Sequence, residues 1–267
     1  MSSNRDPDDY GPFRIFGNLY FIGTRAAGVH LIDTGEGLIV IDTQYPKLYT
    51  NMIEKVERLG FSLSDIKIIL HTHGHVDHVG GTARLVKLTG AKTYIGELDY
   101  DMVTGRVNSS YAEEMNMANA DFFEPDVLLN DGDVITLGNT TITALHTPGH
   151  TPGTMSYFLD VTDGERTLRA GIMGGSGMLS MRYEHLDKYG ISDKWRIGFP
   201  KVIERLRSER VDVMMGNHNG DLDVRKRYEE MLATGRNTFL DPTAWGEHLD
   251  RTLLKYNELI STDKRGN

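Results

Sequence analysis

The chain has 267 residues, a formal net charge of −9, 39% hydrophobic and 25% charged residues, and no cysteine. That length can bury a substantial core, and the missing cysteines exclude disulfides, thiolate metal sites and a cysteine nucleophile. The acidic charge disfavours nucleic acid as a partner, because nucleic-acid binding relies on phosphate neutralisation by Lys and Arg.

The N-terminal residues 1–9 are polar and acidic and contain no apolar signal core. No run of eighteen consecutive apolar residues occurs in the sequence, so we expect no membrane partner. The simplest prediction is a cytoplasmic protein. A periplasmic or secreted protein whose signal peptide had been removed would show the same pattern.

The first third of the chain alternates predicted strands and helices. Apolar runs predict strands over residues 13–16, 19–22, 29–32, 38–41, 66–70 and 91–95. Gly17-Asn18 and residues 35–37 separate two of these pairs and are typical of hairpin turns. Apolar residues at helical spacing predict helices over residues 47–59, with Gly60 as the stop, and over residues 82–88.

Residues 97–125 are less regular, with scattered apolar side chains that fit short helices. This segment is explained either by ordinary packing or by an insertion that overhangs a cleft, which is a common place for substrate contacts. Later strands are predicted over residues 126–129, 134–137, 141–145, 155–159, 166–173 and 211–215, and later helices over residues 193–208, 221–233 and 243–260.

This order of elements predicts two mixed β-sheets that pack together with helices outside. We expect one domain over residues 1–267, with a C-terminal helical extension over about residues 221–262. The apolar face of the last helix is explained equally well by a homodimer surface and by packing in the core.

Residues 71–78, His-Thr-His-Gly-His-Val-Asp-His, are the most informative segment of the chain and directly follow a predicted buried strand. In an extended chain His73 and His75 face the same way, and a turn then brings Asp77 and His78 to a neighbouring point. Imidazole and carboxylate are the ligands that zinc prefers when no thiolate is offered. The spacing favours two metals side by side. His71 lies outside this spacing, and we expect it to support a ligand residue or to pack in the core.

Two further histidines follow predicted strands. Pro148 and Gly149 force a turn that can present His150 at a sheet edge, and His218 comes just after the strand at 211–215. Alone, each is a weak signal, and a turn-stabilising imidazole is the competing explanation. A complete metal site needs ligands from elsewhere, and these two are the best candidates. His30, His146, His185 and His248 are expected to be structural or ordinary residues.

Together these motifs resemble the metallo-β-lactamase fold superfamily. The similarity spans residues 15–222 and includes, in the family's order, Leu38-Ile39-Val40-Ile41-Asp42-Thr43, His73-x-His75-x-Asp77-His78, Asp131-Gly132-Asp133, Thr147-Pro148-Gly149-His150-Thr151 and Gly216-Asn217-His218. The resemblance implies an α/β protein with an αββα sandwich fold, with the metals at the rim between the sheets.

The resemblance also implies the ligand sets. One zinc takes His73, His75 and His150, and the other takes Asp77, His78 and His218, which gives two Zn²⁺ per chain. Asp42 is then a buried structural residue near the site. Lactonase-type and glyoxalase-type members add a bridging aspartate, but residues 170–176 contain no acid. This pattern resembles the β-lactamase subclass with an all-histidine first site and an Asp-His-His second site.

The implied activity is that of a zinc-dependent hydrolase, in which a metal-bound hydroxide opens a cyclic amide or ester bond of a small-molecule substrate. Asp77 is the expected catalytic residue, because it can orient the nucleophile and pass a proton to the departing atom. A lactonase or thioesterase and a non-catalytic metal-binding scaffold are the alternatives. Without a bridging carboxylate we expect weaker occupancy of the second metal site.

Three polar residues beside the predicted ligand loops are candidates for substrate binding: Ser176, Asn217 and Asn219. Each can hydrogen-bond a substrate carboxylate or carbonyl group. Each residue type is also common in turns, which is the competing explanation.

Overall fold

Two mixed β-sheets pack face to face in the part of the chain described by a computed structural model, residues 10–117 and 121–265. The first sheet follows sequence order: β1 (Phe13–Phe16), β2 (Leu19–Phe21), β3 (His30–Asp33), β4 (Leu38–Ile41), β5 (Ile66–Leu70), β6 (Lys92–Gly96) and β7 (Val127–Leu129). Strands β1 to β4 are antiparallel, which confirms the two predicted hairpins, and β4 to β7 are parallel.

The second sheet contains β8 (Val134–Leu137), β9 (Thr140–His146), β10 (Met155–Thr162), β11 (Thr167–Ile172) and β12 (Val213–Met215), in the spatial order β12-β11-β10-β9-β8. Strands β8 to β11 are antiparallel, and β12 lies parallel to β11. Both sheets are therefore mixed, as predicted.

The described helices are α1 (Tyr49–Arg58), α2 (Val76–Val79), α3 (Thr82–Thr89), α4 (Tyr100–Val103), α5 (Tyr183–Tyr189), α6 (Lys194–Arg207), α7 (Asn219–Leu222), α8 (Val224–Thr234) and α9 (Ala244–Thr262). Side chains alternate along β4, so Ile39 and Ile41 join the core between the sheets, and Leu38 and Val40 pack against α1 and α3. Helices α6 and α9 supply apolar side chains on the side of the second sheet. This arrangement confirms the αββα fold class.

The ends of the strands bring the motif loops together. Because the carboxyl ends of parallel strands meet at one edge of a sheet, Asp42 after β4 lies beside the histidine motif after β5. The loops after β9 and β12 carry His150 and His218. The turn before His150 requires glycine, since Gly149 has φ +146° and a β-carbon there would lie 2.3 Å from Phe199 Cδ2.

Some helices differ from the predicted elements. The helix predicted over residues 221–233 is two helices, α7 and α8, because Asp223 between them takes a left-handed conformation with φ 50°. Helix α5 was not predicted. The irregular segment contains a 3₁₀ turn (Glu97–Asp99) and α4, in agreement with the short helices expected there. Residues 118–120 of that segment and the acidic residues 1–9 lie outside the described residues. Among the helices of the described ranges, none combines the length and the hydrophobicity that a bilayer span requires.

Candidate metal centre

The histidine motif folds into a tight turn that points its side chains inward. His73 and His75 follow β5, and α2 then starts at Val76 and brings Asp77 and His78 round to the same side. All four motif side chains are buried, with His73 and His78 fully so. The ring centroids of His73 and His78 lie 4.2 Å apart, and those of His73 and His75 lie 4.6 Å apart. The motif therefore forms one cluster of ligand-type atoms.

His150 completes a first group with two residues of the motif. One ligand-type atom from each of His73, His75 and His150 lies within 4.8 Å of the others. The Nε2 atoms of His73 and His150 are 3.1 Å apart, although 77 residues separate them in sequence. The loop after β9 thus delivers His150 to the motif after β5.

His218 joins Asp77 and His78 in a second group. The Nε2 atom of His218 lies 3.2 Å from Nε2 of His78 and 3.6 Å from Oδ2 of Asp77. Asp77 Oδ2 is in turn 3.5 Å from His78 Nε2. His73 is also close to Asp77 and His78, so the two groups are adjacent. The structure therefore brings together all six residues that the sequence proposed as ligands.

Hydrogen bonds orient four of these imidazoles in the same way. Nδ1 of His73 donates to the Gly174 carbonyl at 2.8 Å, and Nδ1 of His150 donates to the Gly177 carbonyl at 2.8 Å. Nδ1 of His78 donates to Asp42 Oδ2 at 2.8 Å, and Nδ1 of His218 donates to the carbonyl of Ala26 at 2.9 Å. An acceptor on Nδ1 leaves the Nε2 lone pair available, which is how proteins prepare a metal-ligating histidine.

The electrostatics separate the two groups. Burial lowers the pKa of His73 and His75 well below the usual value and that of His150 to about 4, so these imidazoles are neutral near pH 7. Burial also favours neutral His78, but the carboxylates of Asp77 and Asp42 outweigh it and raise the pKa of His78 to about 9. Negative potential is therefore concentrated at the second group, where it favours a cation.

The donor set fits a pair of divalent metal ions. The unprotonated Nε2 atoms of His73 and His150 face each other at 3.1 Å and repel each other, and a cation between them removes the repulsion. Between His78 and His218, whose Nε2 atoms are 3.2 Å apart, a metal ion would take the place of the proton that His78 carries. Two nitrogens bound to zinc at about 2.0–2.1 Å in a tetrahedron lie roughly 3.3 Å apart, close to both observed separations. His73, His75 and His150 would hold one ion, and Asp77, His78 and His218 would hold the other.

Asp42 supports the second group from beneath. It is fully buried after β4, and its carboxylate accepts from the Thr72 amide and hydroxyl at 2.8 Å each as well as from His78. Asp42 therefore has the expected structural role: its carboxylate fixes both the start of the motif and the ring of His78. His71 is also buried near it, with Nδ1 4.0 Å from Asp42 Oδ1 and Nε2 hydrogen bonded to Thr82.

Asp99 joins the two ligand loops and was missed by sequence reasoning. This fully buried carboxylate accepts from the Gly74 amide at 2.9 Å, the Thr151 hydroxyl at 2.7 Å and the Gly153 amide at 2.7 Å. Gly74 lies between His73 and His75, and Thr151 follows His150. Asp99 thereby fixes the spacing of the first group from a position 25 residues after Gly74.

Replacing Asp99 with alanine should destabilise the metal-free protein by about 2–4 kcal/mol, because three buried donors lose their acceptor. Urea unfolding of the apo protein measures this change. Asp101→Ala is the matched control, since Asp101 is exposed and pairs only at the surface with Arg106; its expected effect is below about 1 kcal/mol. Equal stability of the Asp99→Ala variant and the wild type would contradict the proposed tethering.

The candidate substrate-binding residues already have protein partners. Ser176 donates to Asp221 at 2.9 Å, and the buried Asn217 amide donates to the Met173 and Gly174 carbonyls. Asn219 Oδ1 accepts from the Tyr10 hydroxyl at 3.0 Å. Substrate contact by these three residues stays a prediction.

The irregular segment forms a wall beside the first group. The ring of Tyr111 lies 5.0 Å from that of His75 and stacks on His185 of α5 at 4.8 Å. Glu114 ties the segment to α5 by accepting from Lys188 at 2.8 Å and from Tyr189 at 2.7 Å. No motif surrounds Tyr111 or His185 in the sequence, so only the fold shows that they line the centre.

Comparison with solved structures gives the same fold over nearly the whole chain. The FEZ-1 metallo-beta-lactamase from Legionella gormanii superposes with a TM-score of 0.85 at 28% identity and covers 98% of this chain and 99% of that one. BJP-1, a subclass B3 metallo-beta-lactamase of Bradyrhizobium japonicum, gives a TM-score of 0.80 at 28% identity over 94% of both chains.

Sequence comparison covers a shorter part. The profile of the metallo-beta-lactamase superfamily matches residues 22–163, more than half of the chain. Hydroxyacylglutathione hydrolase GloC of Haemophilus influenzae is 33% identical over 107 residues, which are 40% of this chain and 49% of that protein. A probable metallo-hydrolase of Burkholderia pseudomallei is 37% identical over 109 residues, 40% of this chain and 34% of that protein. The chain spans about half the length, or less, of these two curated relatives.

Proposed function

Since this chain belongs to the metallo-beta-lactamase superfamily, we propose that it is a zinc-dependent hydrolase that binds two Zn²⁺ ions and opens a cyclic amide or ester bond of a small molecule. Its fold and relatives are those of metal-dependent hydrolases. The single observation that carries the proposal is the convergence of His73, His75 and His150 beside Asp77, His78 and His218.

A bound zinc pair supplies Lewis acidity, which polarises a carbonyl group and acidifies water. The chain's own residues supply the geometry. The backbone carbonyls of Gly174 and Gly177 fix two rings of the first group, and Asp42 fixes His78. The side chain of Asp77 is 12% exposed, so its carboxylate can reach a bound substrate, orient a water molecule and pass a proton to the leaving atom.

One feature favours a β-lactamase-like activity, and a cavity beside the second group suits a small-molecule substrate. Residues 170–176 offer no carboxylate at the place where lactonase-type and thioesterase-type relatives are expected to carry one. A cavity of about 510 Å³ opens beside His218 and is lined by Ser176, Arg182, Lys255 and Glu258, among others. That volume suits a small molecule. Asp221 also lines the cavity, so its two basic side chains are balanced by two acidic ones, and the charge of the lining does not select the charge of the substrate.

A panel of three substrates tests this proposal on the zinc-loaded chain: nitrocefin, a homoserine lactone and a glutathione thioester. We expect hydrolysis of nitrocefin that is lost with a chelator and restored by Zn²⁺. Cleavage of the lactone or the thioester alone would overturn the preference for a cyclic amide. If none of the three substrates is hydrolysed in a metal-dependent way, the result counts against the proposed hydrolase function as a whole.

A thioesterase is the second candidate. The observation in its favour is the 33% identity to hydroxyacylglutathione hydrolase GloC, which exceeds the 28% identity to the β-lactamases but covers only 40% of this chain. The whole-chain superposition favours the β-lactamases. The ratio of kcat/KM for nitrocefin to that for the glutathione thioester decides between the two candidates.

A further inference from the structure

Asp221 is a buried carboxylate beside the second ligand group, and no sequence motif marks it. It lies three residues after His218, in α7, and only 6% of it is exposed. Its Oδ2 accepts from the backbone amide of His218 at 2.9 Å, and its Oδ1 accepts from the Ser176 hydroxyl at 2.9 Å. Nδ1 of His248, from α9, lies 3.9 Å from Oδ1. One carboxylate thus connects three separate segments next to a metal-ligand position.

The charge of Asp221 has no strong partner in the described ranges. Its carboxylate makes no ion pair with a lysine or an arginine there, and Arg251 contacts only its backbone carbonyl. Both carboxylate oxygens accept a hydrogen bond, one from the His218 amide and one from the Ser176 hydroxyl, which favours the ionised form. Burying an unpaired carboxylate is costly, and such a charge is expected where a cation binds nearby.

The two ligand groups differ in the charge behind their histidines. His73 and His150 donate to neutral backbone carbonyls. In the second group His78 donates to the carboxylate of Asp42, and the backbone of His218 donates to Asp221. Three buried carboxylates, those of Asp42, Asp77 and Asp221, therefore lie at the second group, whereas Asp99 is the one described at the first.

We propose that Asp221 is a positioning residue for the second metal ion. Its hydrogen bond sets the backbone of His218, and its charge supplies part of the negative potential that a bridging carboxylate would otherwise provide. The inference rests on the proposed function, because it requires a cation at Asp77, His78 and His218. It also revises the expectation of a weak second site, since Asp221 offsets the acid missing from residues 170–176.

Metal titration of the full chain tests the proposal. The apo wild type and Asp221→Asn are titrated with Co²⁺, whose visible spectrum reports each ligand group, and with Zn²⁺ against a chromophoric chelator. We expect the affinity for the second equivalent to fall about 10–100-fold in Asp221→Asn, the range for loss of an outer partner of a metal ligand, while that for the first changes by less than about threefold.

Two variants separate charge from structure. Asp223→Asn makes the same charge change two residues away on an exposed side chain, at a left-handed position that asparagine tolerates, and should match the wild type. Ser176→Ala removes one hydrogen bond but keeps the carboxylate, and should weaken the second equivalent less than Asp221→Asn does. If Asp221→Asn does not fold, Asp221→Glu, which retains the charge, should keep second-equivalent affinity within about tenfold of the wild type.

Three results would overturn the inference: an unchanged second equivalent in Asp221→Asn, equal weakening of both equivalents, or loss of the second equivalent in a folded Asp221→Glu. A wild type that binds no second equivalent would instead refute the proposed two-metal site. The two failures are therefore distinguishable.

Discussion

Replacing His150 with alanine is expected to abolish turnover and to release the first metal ion. His150 is the one member of the first group that comes from a different sheet, and its Nε2 lies 3.1 Å from that of His73. Without it, two neutral imidazoles remain, too few for a stable four-coordinate zinc site. We expect metal affinity to fall further than the about 10–100-fold loss that follows removal of a residue hydrogen bonded to a metal ligand.

Metal analysis after dialysis and nitrocefin turnover measure this effect. His146→Ala is the matched control, because Nε2 of His146, at the end of β9, donates to the Pro152 carbonyl at 2.7 Å and does not contact the metal group. That variant should keep both metals and lose about 1 kcal/mol of stability. Full activity and full metal content in His150→Ala would remove His150 from the site.

Replacing Asp42 with asparagine is expected to have the second largest effect. The amide introduced by Asp42→Asn can direct either its nitrogen or its oxygen at His78. If the nitrogen faces Nδ1 of His78, that ring must carry its proton on Nε2 and cannot ligate. If the oxygen faces His78, the amide nitrogen takes the place of Oδ1 and faces the backbone N–H of Thr72, so that hydrogen bond is lost. We expect second-metal affinity to fall about 10–100-fold and kcat/KM to fall with it.

Asp33→Asn is the control for this experiment, which uses the same Co²⁺ and Zn²⁺ titrations. Asp33 pairs with Leu38 at the far end of the β3–β4 pair, where its carboxylate accepts from the Gly35 amide. Its substitution removes the same charge from the same sheet without touching the ligand groups. An Asp42→Asn variant that binds both metals as the wild type does would show that the carboxylate does not set the tautomer of His78.

Local sequence was sufficient for the histidine motif and for most of the strands. Four ligand candidates fall within six residues after β5, so a short turn is enough to gather them. The alternation of Leu38 to Ile41 between two cores likewise follows from strand geometry. His150 and His218 were weak signals by themselves, and only a fold that joins the ends of β5, β9 and β12 brings them to the motif.

Asp42 was expected near the site, but the supporting carboxylates Asp99 and Asp221 could not be predicted, because the partners that tie them to other segments are distant in sequence. Asp99 bonds to Thr151, 52 residues away, and Asp221 bonds to Ser176, 45 residues away, in addition to its local bond with the His218 amide. His185 and His248 were expected to be ordinary, yet one stacks on Tyr111 beside His75 and the other lies against Asp221. The break between α7 and α8 was also missed, since helical spacing continues through Asp223 while its backbone is left-handed.

A crystal structure of the zinc-loaded protein, with anomalous diffraction measured at the zinc edge, shows whether the six side chains hold two zinc ions. We predict two anomalous peaks per chain, about 3.5–4 Å apart. One should contact His73, His75 and His150, and the other should contact Asp77, His78 and His218. The absence of zinc at these six side chains, or zinc bound only elsewhere on the chain, would contradict the account.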